Sequence, residues 1–145
     1  MRRIMIILMA TAIQFFVSCI PYDDIGSFYN LENVEYSLTP KKDVYDLSDS
    51  ISLTCSFEPD LEKFEEYIFH IAIYNHIHVY DESGQDVANK KIHYVPSGNI
   101  KVMKTFTLIP QNSGDHRISV GVLGILKKKS SDTYVSHEDF DFSVK

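Results

Sequence analysis

From Val34 onward, apolar and polar residues of this chain alternate with a period of two. Ile51, Leu53, Cys55 and Phe57 are interleaved with Ser50, Ser52, Thr54 and Ser56, and in an extended chain that spacing sends every apolar side chain to one face. The run predicts a half-buried strand. A second run sets Phe69, Ile71, Ile73, Ile77 and Val79 on one side and His70, Tyr74, His76, His78 and Tyr80 on the other, which predicts one long strand from Tyr67 to Tyr80. Turn-forming residues follow at Asp81-Glu82-Ser83-Gly84-Gln85-Asp86. Further strands are expected over 91–95, 100–109, 117–126 and 135–144, separated by Pro96-Ser97-Gly98-Asn99, by 110–114 and by 128–132.

One segment breaks the alternation. In Pro59-Asp60-Leu61-Glu62-Lys63-Phe64-Glu65-Glu66, the Pro and Asp fit a helix start, and Leu61, Phe64 and Ile68 fall near helical spacing. A single short helix in a loop is the expectation. Helices and strands do not alternate along the chain, which argues against a parallel α/β sheet. The fold class expected is all-β, an antiparallel sandwich formed by residues 34–145 as one domain.

The N-terminus follows another pattern. Arg2 and Arg3 precede an apolar run from Ile4 to Val17, which ends in Phe16-Val17-Ser18-Cys19. This arrangement resembles a bacterial lipoprotein signal: a basic start, a short apolar segment for export, and small residues ahead of the cysteine. The resemblance implies that residues 1–18 are removed and that Cys19 becomes the acylated first residue, with palmitate among its chains. The alternative, an uncleaved membrane anchor, is disfavoured because a span needs about 20 apolar residues and Thr11 and Gln14 interrupt this run. Residues 19–33 read as an acidic tether, with Tyr22, Phe28 and Tyr29 placed to dock on the domain. Asp23 and Asp24, close behind the lipid site, resemble the acidic export signals of some surface lipoproteins. The expected location is the bacterial cell envelope, held to a membrane by lipid, the outer membrane or cell surface in preference to the inner membrane.

Charge and cysteine content narrow the options. The chain has 14 Lys+Arg against 20 Asp+Glu, a formal net charge of -6. Loss of residues 1–18 takes two arginines and no acid, which leaves 12 against 20, or -8. An acidic domain repels polyphosphates, so nucleic acid is not an expected partner. Lys127-Lys128-Lys129 is the local exception and reads as a solvated turn. With Cys19 acylated, Cys55 has no partner in the chain, so packing rather than a disulfide must hold the domain together.

Ser52-Leu53-Thr54-Cys55-Ser56-Phe57 resembles the second strand of the immunoglobulin-like superfamily, with Cys55 at the first core cysteine. Asn112-Ser113-Gly114-Asp115-His116-Arg117-Ile118-Ser119-Val120 resembles the turn and strand that carry the second. In that alignment Ile118 replaces the second cysteine, His116 replaces the corner tyrosine, and the core tryptophan is missing because the chain has none. The resemblance implies an immunoglobulin-like or fibronectin-like sandwich held by packing alone, with Cys55 buried against Ile118.

Candidate chemistry lies on the polar strand faces. Tyr74, His76, His78 and Tyr80 combine aromatic area with hydrogen-bonding tips, a composition suited to a contact surface. His76 and His78 leave one face about 7 Å apart, a spacing that can chelate a metal. His137, Asp139 and Asp141 share a face in the same way, and in an immunoglobulin-like sandwich the two strands would belong to one sheet, separated by the strand of Ser119 and Gly121. Zinc would suit such donors. No nucleophile elbow, phosphate-cradling glycine loop or His-Glu-Xaa-Xaa-His motif occurs in the chain. The expectation is therefore a non-enzymatic binding or assembly module without a cofactor, with the membrane and an envelope protein or glycan as partners. A metal-binding lipoprotein and an unrecognised hydrolase are the alternatives.

Overall fold

The alternation at 51–57 is realised as β4 (Ile51–Phe57), whose Ile51, Leu53, Cys55 and Phe57 all point into the core. The computed structural model describes residues 26–145; residues 1–18, expected to be a signal, Cys19 and the acidic pair Asp23 and Asp24 lie outside the described residues. Two sheets face each other. One has the strand order β2 (Glu35–Thr39), β4, β8 (Val102–Pro110), β6 (Ile77–Tyr80), and its neighbours all pair antiparallel. The other runs β1 (Phe28–Asn30), β10 (Thr133–Val144), β9 (Gly114–Leu126), β5 (Phe64–Ile73), β7 (Lys91–Tyr94), and β3 (Val44–Tyr45) also pairs with β10. We call them the small and the large sheet.

This is the immunoglobulin-like arrangement, with A-B-E-D strands in the small sheet and G-F-C strands in the large one. Apolar residues of the inner faces fill the space between. One cluster is built around Ile51, Leu53, Ile71, Val79, Phe106, Leu108, Ile118 and Val120. A second, at the opposite end, holds Cys55, Phe57, Phe64, Tyr67, Phe69, Val102 and Val122. Burial of this kind contributes about 1.5–3 kcal/mol per large apolar side chain, and no disulfide assists it among the described residues.

Three expectations are corrected. No helix occurs among the described residues, and the segment expected to be helical makes a single turn. Asp60 organises that turn: its Oδ1 accepts the N–H groups of Glu62 and Lys63, each at 3.1 Å, and its carbonyl accepts the Phe64 N–H at 2.9 Å. Phe64 and Tyr67 are then drawn into the second cluster, and a bulge at 64–66 turns both inward. Tertiary packing therefore extends the chain where local spacing favoured a helix.

The run from Tyr67 to Tyr80 is two strands, not one. β5 ends at Ile73, residues 74–76 bend, and β6 begins at Ile77 in the other sheet. Ile71 and Ile77 keep the expected inward face throughout, because a bend of three residues preserves the odd-even parity of the run.

Cys55 is fully buried as expected, but it does not pack in the cluster of Ile118. It shares the other cluster with Val122, four residues further along β9 and hence about 13 Å away along the strand. The offset between two facing sheets is set by how their side chains interdigitate, which is a property of the pair and not of either strand.

Residues 26–33 lie against the domain. β1 runs parallel to β10, with Tyr29 opposite Tyr134, and Leu31 is buried in the second cluster. Gly26 approaches so closely that a Cβ there would overlap the Ser131 carbonyl.

Candidate functional site

On β6, Ile77 and Val79 enter the core, so His78 and Tyr80 stand outward on the small sheet. Their rings stack with centroids 5.9 Å apart. His78 is fixed by Asp86, whose Oδ2 lies 2.8 Å from the ring Nδ1, while Oδ1 accepts the Ala88 N–H at 3.0 Å. The hydrogen bond from His78, followed by the one from the Ala88 backbone, holds the Asp86 carboxyl below the usual carboxylate range. Tyr74 and His76 fall instead in the 74–76 bend, where Tyr74 is 52% exposed. The four residues thus divide: His78 and Tyr80 form one rigid pair on a strand, and the other two project from the end of the sandwich. An open groove of 510 Å³ lies between, lined by His76, His78, Asp86, Gln111 and Asn112 among others.

The strand register extends this face beyond what the sequence reading identified. Thr39 pairs with Ser52, Ser52 with Thr107, and Thr107 with Tyr80, which makes one row across all four strands of the small sheet. The next row on the same face joins Ser37, Thr54 and Thr105. Among the described residues, none of these six Ser and Thr hydroxyls takes part in a hydrogen bond within the protein. The signal was present as Ser and Thr alternating through 50–56, but only pairing with β2 and β8 turns a line of hydroxyls into an array. Such a face offers short donors and acceptors on a flat, rigid surface, bordered by an aromatic pair.

The metal reading loses its geometry. His76 and His78 belong to the bend and the small sheet, whereas His137 and Asp139 lie on β10 of the large sheet, so the two sets never share a face. Asp139 accepts a hydrogen bond from the Ser119 hydroxyl, and Asp141 binds Arg117 in bidentate fashion at 2.6 and 2.8 Å. That guanidinium holds the Asp141 carboxyl below its ordinary value. His137 faces Gly121 on β9, with His70 of β5 on the far side of the glycine. No group of three or more His, Cys, Asp or Glu side chains gathers as a metal site among the described residues.

His116 takes over the work of a corner tyrosine. It is buried, stacks on Phe142 with centroids 5.7 Å apart, and its Nε2–H donates to the Asn112 carbonyl at 2.9 Å. The bond spans four residues back along the chain, as the corner tyrosine does in antibody-type domains. Its Nδ1 is buried without a hydrogen-bond partner among the described residues.

No family model matches the chain, and no curated protein matches it. Among solved structures, it is similar to a conjugative transposon lipoprotein from Bacteroides eggerthii, with 15% identity, a TM-score of 0.52, and coverage of 76% of this chain and 94% of that one. That likeness shows the shared fold. Two others are more distant: the ASH/PapD-like domain of human CEP192, at 13% identity and a TM-score of 0.41 with 78% and 85% coverage; and a CARDB domain of a Pyrococcus furiosus protein in complex with di-metal ions, at 17% identity and a TM-score of 0.37 with 86% and 99% coverage.

Proposed function

We propose that this chain is a lipid-anchored envelope protein whose β-sandwich acts as a non-catalytic binding or assembly module, and that the outer face of the small sheet is its contact surface. The observation that carries the binding part is the row Thr39, Ser52, Thr107 and Tyr80, in register across four strands and continuous with the His78–Tyr80 pair. Hydroxyls without partners on a rigid sheet lose little conformational entropy when they bind, and they suit an envelope glycan or the polar rim of a protein. The anchor part rests on the sequence through Cys19. The Bacteroides eggerthii lipoprotein carries the same fold, which supports an anchored sandwich.

Each part has its own test. Cys19→Ala should abolish acylation, read as loss of the lipid mass and a shift from the detergent to the aqueous phase. A mature protein that starts elsewhere and carries no lipid would end the anchor reading. For the face, cross-linking in intact envelopes should capture a glycan or protein with the unaltered chain and fail with a Tyr80→Asp, Thr107→Lys double variant. Capture that survives both changes would move the contact surface elsewhere.

A further inference from the structure

At the end of the sandwich where residues 26–33 join it, β1, the turn after β4 and the start of β10 surround a cavity of 480 Å³. Tyr29, Phe64 and Tyr134 supply aromatic wall, and Glu32, Glu58 and Asp60 supply carboxylates. The rings are mutually fixed. Tyr29 stacks on Tyr134 at 4.9 Å, and Phe64 meets Tyr134 edge-on at 5.4 Å. Against this wall lies the chain's own Lys63, with its ammonium 3.6 Å from the Tyr134 centroid and 5.4 Å from that of Phe64. The negative face of an aromatic ring attracts a cation placed in this way.

The acids are left over. Among the described residues, Glu32, Glu58 and Asp60 take part in no ion pair, and Lys63 makes none either. Asp60 spends its Oδ1 on the backbone of its own turn. The cavity therefore has more negative charge than Lys63 answers. The Lys63 backbone is pinned, because its carbonyl accepts the Lys127 N–H at 3.0 Å and its N–H reaches the Asp60 carbonyl at 3.3 Å. The side chain is not pinned in this way, and its flexible four-carbon stem can carry the ammonium out to water without moving the turn.

We propose that this cavity binds a lysine side chain presented by a partner protein, and that Lys63 is an internal stand-in which the incoming ammonium displaces. Charge selects the occupant. A phosphate-bearing lipid headgroup or a polyanion would meet three carboxylates, whereas an ammonium meets complementary charge and an aromatic wall that already holds one. The inference deepens the reading of the domain as a binding module. It is independent of the small-sheet face and of the anchor, so its failure leaves both standing.

The test uses the full chain in non-ionic detergent, with capped tetralysine peptide and its fully Nε-acetylated counterpart as probes and tyrosine fluorescence as the readout. Tetralysine should bind and the acetylated peptide should not. Glu58→Gln should weaken binding at least about threefold, since it removes one complementary charge. Lys63→Gln should tighten it about threefold to tenfold, because the competing occupant is gone. Lys128→Gln makes the same charge change on the neighbouring turn and should shift binding less than about twofold. Equal tightening by both lysine variants would mean general attraction to an acidic surface and would overturn the site. So would equal binding of the acetylated peptide, or no binding at all.

Discussion

Cys55 shows how far one residue can be read from its neighbours. Its place in an alternating strand predicts burial, and burial pushes its thiol up to about 12, far from the reactive range. The residue it packs near was not legible, because whether Val122 or Ile118 lies in its cluster depends on how two sheets settle against each other. Cys55→Val keeps nearly the same volume and should melt within about 1.5 kcal/mol of the unaltered domain, and a reducing agent should change nothing. Cys55→Asp should abolish folding. Labelling of native Cys55 by a thiol reagent as fast as a free cysteine would contradict its burial. His116 makes the complementary point: the alignment marks it as a replacement for a corner tyrosine, but only the structure shows that an imidazole N–H supplies the same backward bond.

Among elements, parity survives where boundaries do not. β4 was legible because period two runs through all seven of its residues, and β8, β9 and β10 because turn-forming residues bound them. β1 and β3, at three and two residues, are too short to show any period, and their pairing with β10 is a tertiary event. The bend at 74–76 was illegible for another reason: it exchanges sheets while leaving the inward face unchanged, so the alternation runs through it unbroken. A mutational comparison exploits that parity. Ile71→Asp on β5 and Val79→Asp on β6 each bury an unpaired charge and should cost several kcal/mol, enough to unfold a marginally stable domain. Tyr74→Asp in the bend, where the native side chain is 52% exposed, and Tyr80→Asp on the outer face of β6 place the charge in water and should leave soluble yield and thermal unfolding near the unaltered values. Equal damage from the two pairs would refute the assigned register. The hydroxyl array is the counterpart at the site: each strand's half was written in the sequence, and the pairing that assembles it was not.

For the whole molecule, acid should act in two stages. Burial, and then the charge of nearby Lys91, depress the His70 imidazole. The unfolded chain therefore takes up that proton first, so the stability given by the neutral ring is full above about pH 6.5 and declines below it. Asp49, Asp81, Asp86 and Asp141 are also depressed, by Lys42, Ser83, His78 and Arg117 respectively. Their contribution is present above about pH 4 and is lost as pH falls through their folded values. Melting temperature against pH should show a shallow decline from about 6.5 and a steeper one below about 4, and His70→Gln should remove the first stage alone. An unchanged upper stage in that variant would assign it to another group. The junction at Gly26 bears on the molecule in a different way, as a mechanical joint. Gly26 N–H donates to the Ser131 carbonyl at 3.1 Å, Thr133 N–H to the Ser27 carbonyl at 2.9 Å, and Leu31 N–H to the Val135 carbonyl at 3.0 Å. β1 runs parallel to β10, so tension applied ahead of Gly26 and resisted by the body of the domain acts along both strands. Bonds arranged in this way share a pull instead of opening one after another. A sandwich tugged between a membrane and a bound partner would yield there by sliding the whole edge at once, which makes the splice of β1 onto β10 a shear clamp rather than a zipper.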